Sequence, residues 1–182
     1  MSKFINKSEE TNYNAKKKYG QNFLEDNNLL LEIIESASLT DETEVIEIGP
    51  GLGFLTDILI KKSKKVTAFE IDRGLIPILT KKFGNSDNFE LINEDFLAYD
   101  LNKILEGKKN IKVVANIPYY ITSPIINRLL EFRSNISEIY LMVQKEVAER
   151  IASSPNSKNM SILTHSVQFF AEAEYLFTVK KE

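Results

Sequence analysis

The feature that most constrains this chain is the stretch at residues 44–56, "EVIEIGPGLGFLT". The run "VIEI" (45–48) has strand character, and "FLTDILIKK" (54–62) carries apolar residues at helical spacing. Between them stand Gly49, Gly51 and Gly53. Glycine admits a tight turn and lets a backbone come close to a ligand. A strand, a glycine turn and a helix in immediate succession form the opening of a βαβ unit. The G-x-G-x-G spacing is not the G-x-G-x-x-G of dinucleotide enzymes. Taken alone, it also suits a strand-to-helix turn that holds nothing.

The rest of the chain repeats the alternation. Further strands are expected at 65–71, 89–93, 111–116 and 138–143, and a last one at "EYLFTV" (174–179). Helices are expected at 25–39, 74–83, 123–132, 145–152 and 160–170. The helix at 123–132 is expected to open on Ser123 with Pro124 at its first position. Strands alternating with helices predict an α/β fold, a mostly parallel sheet covered on both faces. In such sheets ligands bind at the carboxyl ends of the strands. The chain stops directly after its last expected strand, so a truncated chain is expected.

A length of 182 residues with 43% hydrophobic content suffices for one cored domain. Cysteine is absent, which excludes disulfides and thiolate metal sites. The start has no apolar signal core, and no apolar run approaches the roughly 20 residues that span a bilayer. A cytoplasmic protein without membrane attachment is therefore expected. The net charge of −3 argues against an extended nucleic-acid footprint. Yet Lys3, Lys7, Lys16, Lys17 and Lys18 crowd the first 18 residues, a local patch able to meet phosphates.

Three further stretches carry chemistry. The glycine pattern, with Glu47 in the strand before it, resembles motif I of methyltransferases that use S-adenosylmethionine. In "FEID" (69–72), Glu70 ends the second strand, where a carboxylate can accept from both ribose hydroxyls. In "NEDFLAYD" (93–100), Asp95 can accept from an adenine amino group and Phe96 can pack on that ring. The stretch "NIPYYITSP" (116–124) opens with N-x-P-Y, similar to motif IV of enzymes that methylate the exocyclic amine of adenine. That amine is a poor nucleophile because its lone pair is conjugated into the purine. The Asn116 amide oxygen and the backbone carbonyl of Ile117 can accept its hydrogens and turn the lone pair toward a methyl donor. Tyr119 can stack on an extruded base. Tyr120 is assigned mainly to packing, and His165, the only histidine, to packing or surface.

A basic segment running into "GQNFL" (20–24), then "EIGPGLGFLT" and "NIPYYITSP", resembles the ribosomal RNA small-subunit adenine dimethyltransferase family of the KsgA/RsmA type. The resemblance extends from about residue 16 to the end. It implies a Rossmann-like fold and S-adenosylmethionine as cofactor. It also implies transfer of two methyl groups to each of two adjacent adenosines of small-subunit ribosomal RNA, on the immature subunit, by a monomer. By the same resemblance Asn22 and Leu24 close over the cofactor, Gly49 and Gly51 form its turn, Glu70 holds the ribose, and Asp95 meets the adenine. Asn116 lies where cofactor and target base meet, beside Tyr119. Residues 1–25 are then a basic, cofactor-closing segment and 26–182 the catalytic domain, with a C-terminal helical domain missing. The alternatives are a large-subunit resistance methyltransferase, a non-catalytic nucleic-acid-binding factor on the same fold, and, against the glycine spacing, a dinucleotide oxidoreductase.

Overall fold

The computed structural model describes residues 27–179. Helix α1 (Asn27–Ser36) precedes strand β1 (Glu44–Ile48), α2 (Phe54–Lys62), β2 (Lys65–Phe69), α3 (Ile76–Phe83) and β3 (Phe89–Ile92). A one-turn helix α4 (Asn102–Leu105) follows, then β4 (Ile111–Asn116), a 3₁₀ turn (Tyr119–Ile121), α5 (Thr122–Glu131), β5 (Ile136–Met142), α6 (Lys145–Ile151) and α7 (Ile162–Phe170). The five strands form one parallel sheet in the order β3-β2-β1-β4-β5.

The period-2 alternation of the strands divides the core into two layers. On one face Ile46 and Ile48 of β1 and Val113 and Ala115 of β4 pack with Leu101, Leu105, Ile125 and Leu129. On the other, Val45, Val66 and Val114 meet Leu30 and Ile34 of α1 and Leu55 and Leu59 of α2. β1 and β4 are central and buried on both sides, which is why their sequences read as near-continuous apolar runs. Glu47 is the one charged residue of these two strands that is fully buried, a carboxyl inside the α1/α2 layer.

Three expectations need correction. Residues 171–179 form no strand; they run irregularly past the edge of the sheet. A strand exists only through its ladder, and β5 is bonded to β4 alone. An open cavity of about 840 Å³ separates Tyr140 and Met142 of β5 from Tyr175 and Phe177. α5 begins at Thr122 with Ile121 as its N-cap, so Pro124 is the third helical residue and not the first. The 3₁₀ turn feeds straight into this helix. Proline is tolerated there because first-turn N–H groups have no intrahelical acceptor. Phe96 is 4% exposed and packs in the core, its ring and that of Phe69 in a T-shaped contact with centroids 5.2 Å apart, rather than standing open to a ligand.

Candidate cofactor and base site

The register of the sheet assembles the site. Ile48 pairs with Phe69 on one side and Ala115 on the other, and Phe69 pairs with Ile92. The next residue along each strand is therefore Gly49, Glu70, Asn93 or Asn116. All four stand in one row at the carboxyl edge. The strand order reverses between β1 and β4, and an open parallel sheet forms its ligand crevice at such a point.

The glycine turn is wound through the left-handed region, with φ of 73° at Gly49, 60° at Gly51 and 83° at Gly53. At Gly49 a side chain would point at the carbonyl of Asn116, 3.6 Å from a Cβ. At Gly53 a Cβ would lie 2.4 Å from the Phe83 ring, so α3 packs directly on the turn. The Gly49 N–H donates to the Phe69 carbonyl at 2.9 Å. Lys82 of α3 donates through Nζ to the Leu52 carbonyl at 2.9 Å.

Glu70 is only 5% exposed. Its Oε2 accepts from the Gly51 N–H at 3.2 Å and its Oε1 from the Asp72 N–H at 2.8 Å. Burial pushes its carboxyl above the ordinary value, a rise opposed by the N–H groups of Asp72, Gly51 and Ile71 and reinforced by the Asp72 carboxylate. A carboxylate has about four lone-pair sites, so the group keeps acceptor capacity for a ligand hydroxyl. Asn93 donates through Nδ2 to the Glu70 carbonyl at 2.6 Å and couples the two strand ends. Asp95 is exposed in the loop after β3, and its Oδ1 accepts from the Leu97 N–H at 2.9 Å.

Asn116 is half-buried at the end of β4. The Ile117 N–H donates to the Met142 carbonyl at 3.1 Å, which anchors the stretch to β5. The Pro118 carbonyl accepts from the Ile121 N–H at 3.2 Å and from the Thr122 hydroxyl at 3.4 Å. Among the described residues no hydrogen bond reaches the Ile117 carbonyl. The two carbonyls of this turn are thus differentiated, and Ile117 is the one left to accept. Tyr120, in the 3₁₀ turn, is 50% exposed. The described residues do not include Asn22, Leu24, the N-terminal lysines or the side chain of Tyr119.

Sequence reasoning missed three participants. Ile71 is 47% exposed immediately after Glu70, an apolar surface beside a carboxylate at the crevice. Its signal is an isoleucine between two acids in "FEID". Asp72 is 1% exposed, and its Oδ1 accepts from the Gly74 N–H at 2.9 Å, closing the turn after β2. Thr56 donates to Glu47, a pairing that no spacing rule anticipates. Among the described residues no group of three or more His, Cys, Asp or Glu is placed to hold a metal ion, and no helix is long and apolar enough to cross a membrane.

Residues 12–182 match the family described as ribosomal RNA adenine dimethylase. The chain is 48% identical over 171 residues to ribosomal RNA small subunit methyltransferase A of Fusobacterium nucleatum, covering 93% of this chain and 64% of that protein. For the protein of the same name from Lactococcus lactis the identity is 49% over 173 residues, covering 93% and 59%. Among solved structures, the 23S rRNA methyltransferase ErmE superposes with a TM-score of 0.66 at 32% identity, covering 79% of this chain and 55% of that one. A dimethyladenosine transferase from Plasmodium falciparum gives 0.66 at 33%, covering 81% and 51%. The chain spans about three-fifths of the length of these two curated relatives. With its Rossmann-like parallel sheet, it belongs to the ribosomal RNA adenine dimethylase family.

Proposed function

We propose that this chain carries the catalytic domain (26–182) of an S-adenosylmethionine-dependent enzyme that dimethylates two adjacent adenosines of small-subunit ribosomal RNA. In this reading it acts as a cytoplasmic monomer on the immature subunit. Residues 1–25 would supply the closing motif, with Asn22 and Leu24 over the cofactor. One observation carries the proposal: Gly49, Glu70 and Asn116 stand in a single row at the switch point of the sheet, with Asp95 just beyond it.

These residues fit the cofactor. The open side of the Gly49 turn leaves room for its amino-acid part, Glu70 retains lone pairs for the ribose hydroxyls, and Asp95 Oδ2 can accept from the adenine amine. When bound, the cofactor supplies an electrophilic methyl on a sulfonium. The protein's part is positioning and charge stabilisation. The Asn116 amide oxygen and the Ile117 carbonyl accept the hydrogens of the target amine, so its lone pair leaves the purine plane. Tyr119 holds the extruded base by stacking, worth roughly 1–3 kcal/mol in single-strand binders.

The test supplies the purified protein with radiolabelled S-adenosylmethionine and either immature small subunits or large subunits. Label in dimethyladenosine of the small subunit is expected. Label confined to the large subunit would favour the other reading, which the likeness to ErmE keeps in view. Absence of label in adenosine from both would refute methylation of ribosomal adenosine.

A further inference from the structure

The glycine turn is held by few bonds of its own. Within residues 49–53 the backbone makes one closing contact, from the Gly53 N–H to the Pro50 carbonyl at 2.9 Å. Backbone bonds hold its two ends, from the Gly49 N–H to the Phe69 carbonyl and from the Asp57 N–H to the Gly53 carbonyl, and side chains outside the turn hold its middle. Glu70 and Lys82 each bind one of its backbone groups. A third contact grips its two flanks. The Thr56 hydroxyl, in the first turn of α2, donates to Glu47 Oε2 on β1 at 2.8 Å. Glu47 is 1% exposed and Thr56 0%. Around them the layer is apolar: Val45, Leu55, Leu59, Val66 and Val114.

A buried polar pair in such a layer is a poor source of stability. An apolar pair of similar shape would hold the fold at least as well, since both polar groups gave up water to be there. A hydrogen bond does impose one requirement that apolar packing lacks, a specific atom facing a specific atom. Here it sets where α2 begins relative to the end of β1, and the glycine turn bridges that interval.

We propose that Glu47 and Thr56 are positioning residues for the cofactor site, their hydrogen bond fixing the span of the glycine turn and thereby the aim of Gly51 at Glu70. The inference rests on the proposed S-adenosylmethionine site. Neither residue need touch the cofactor. The tie requires an acceptor oxygen at Glu47 and a hydroxyl at Thr56; it does not require a negative charge. Burial, which raises the Glu47 carboxyl to about 8, is consistent with a neutral acceptor.

The test uses S-adenosylhomocysteine as probe, titrated calorimetrically into the wild-type protein, Thr56→Val, Thr56→Ser, Glu47→Leu, Glu47→Gln and the double variant Thr56→Val/Glu47→Leu. Melting temperatures and turnover at saturating cofactor are measured alongside. Thr56→Val and Glu47→Leu are expected to weaken binding about tenfold, the scale of one lost hydrogen bond, and to lower the melting temperature because each leaves the other's buried polar group unpaired; the double variant is expected to regain the melting temperature but not the affinity. Thr56→Ser and Glu47→Gln keep the tie and are expected to bind within about twofold of wild type. Turnover at saturation should change less than affinity in every variant. Wild-type affinity in both Thr56→Val and Glu47→Leu would overturn the proposal. So would a loss in Glu47→Gln as large as that in Glu47→Leu, because charge would then be what matters. A wild-type protein that does not bind the probe would overturn the cofactor reading and this inference together.

Discussion

Replacing Glu47 by Gln should make the protein's stability less dependent on pH. The folded state pushes the Glu47 carboxyl from an ordinary 4.5 up to about 8, chiefly by burial; the Thr56 hydroxyl opposes the rise and the Glu70 carboxylate adds to it. The folded protein therefore keeps a proton that the unfolded chain has already released. Stability from this group is fully present below 4.5 and is lost as pH rises toward 8. Over the whole interval the loss is on the order of 5 kcal/mol, of which roughly 3–4 kcal/mol falls between pH 5 and 8. Gln has no proton to lose. Its amide carries a fixed penalty for an N–H₂ placed in an apolar layer, but that penalty does not vary with pH. Urea unfolding of both proteins, followed by circular dichroism at pH 5, 6, 7 and 8, measures the difference directly. Other titrating groups are common to both and largely cancel. The variant should gain roughly 3–4 kcal/mol relative to wild type across that range. A difference constant to within about 0.5 kcal/mol would refute the reasoning. It would mean that Glu47 keeps an ordinary carboxylate in the fold.

Gly53→Ala should destabilise by about 2 kcal/mol or more, because φ is +83° and the new Cβ would meet the Phe83 ring at 2.4 Å. Gly107→Ala is its control: φ is +72° but nothing lies within 4 Å, so only the backbone cost of about 1 kcal/mol is expected in the same unfolding assay. Leu129→Ala removes a fully buried side chain beneath β4 and should cost about 2–5 kcal/mol, read as a shifted urea midpoint at constant slope. Asn116→Ala should lower methyl transfer by about a hundredfold or more, exceeding any loss of S-adenosylhomocysteine affinity measured by calorimetry.

Much of this was legible because local chemistry and global fold agree. The switch from strand to helical periodicity around residues 49–53 announces a βαβ unit whatever surrounds it, and β1, α2 and β2 lie where that pattern puts them. What failed was information held by neighbours. "EYLFTV" has strand composition, yet residues 174–179 have no ladder partner at β5, and composition cannot supply one. Phe96 is a plausible platform for a base until its ring is found against Phe69.

The same distinction explains why the row of candidate site residues was visible and the tie between Glu47 and Thr56 was not. Gly49, Glu70 and Asn116 each stand at the carboxyl end of a strand, and parallel pairing converts that shared local position into spatial adjacency. No long-range contact need be known beyond the order and direction of the strands. Asp95, two residues past the row, is reached by the same rule. The contact between Glu47 and Thr56 depends instead on how far α2 leans over β1 after five residues of glycine-rich turn. An acid inside a central strand is nonetheless a clue. β1 is buried on both faces, so Glu47 had to reach a partner or hold its proton; it reaches Thr56, and burial pushes its carboxyl upward.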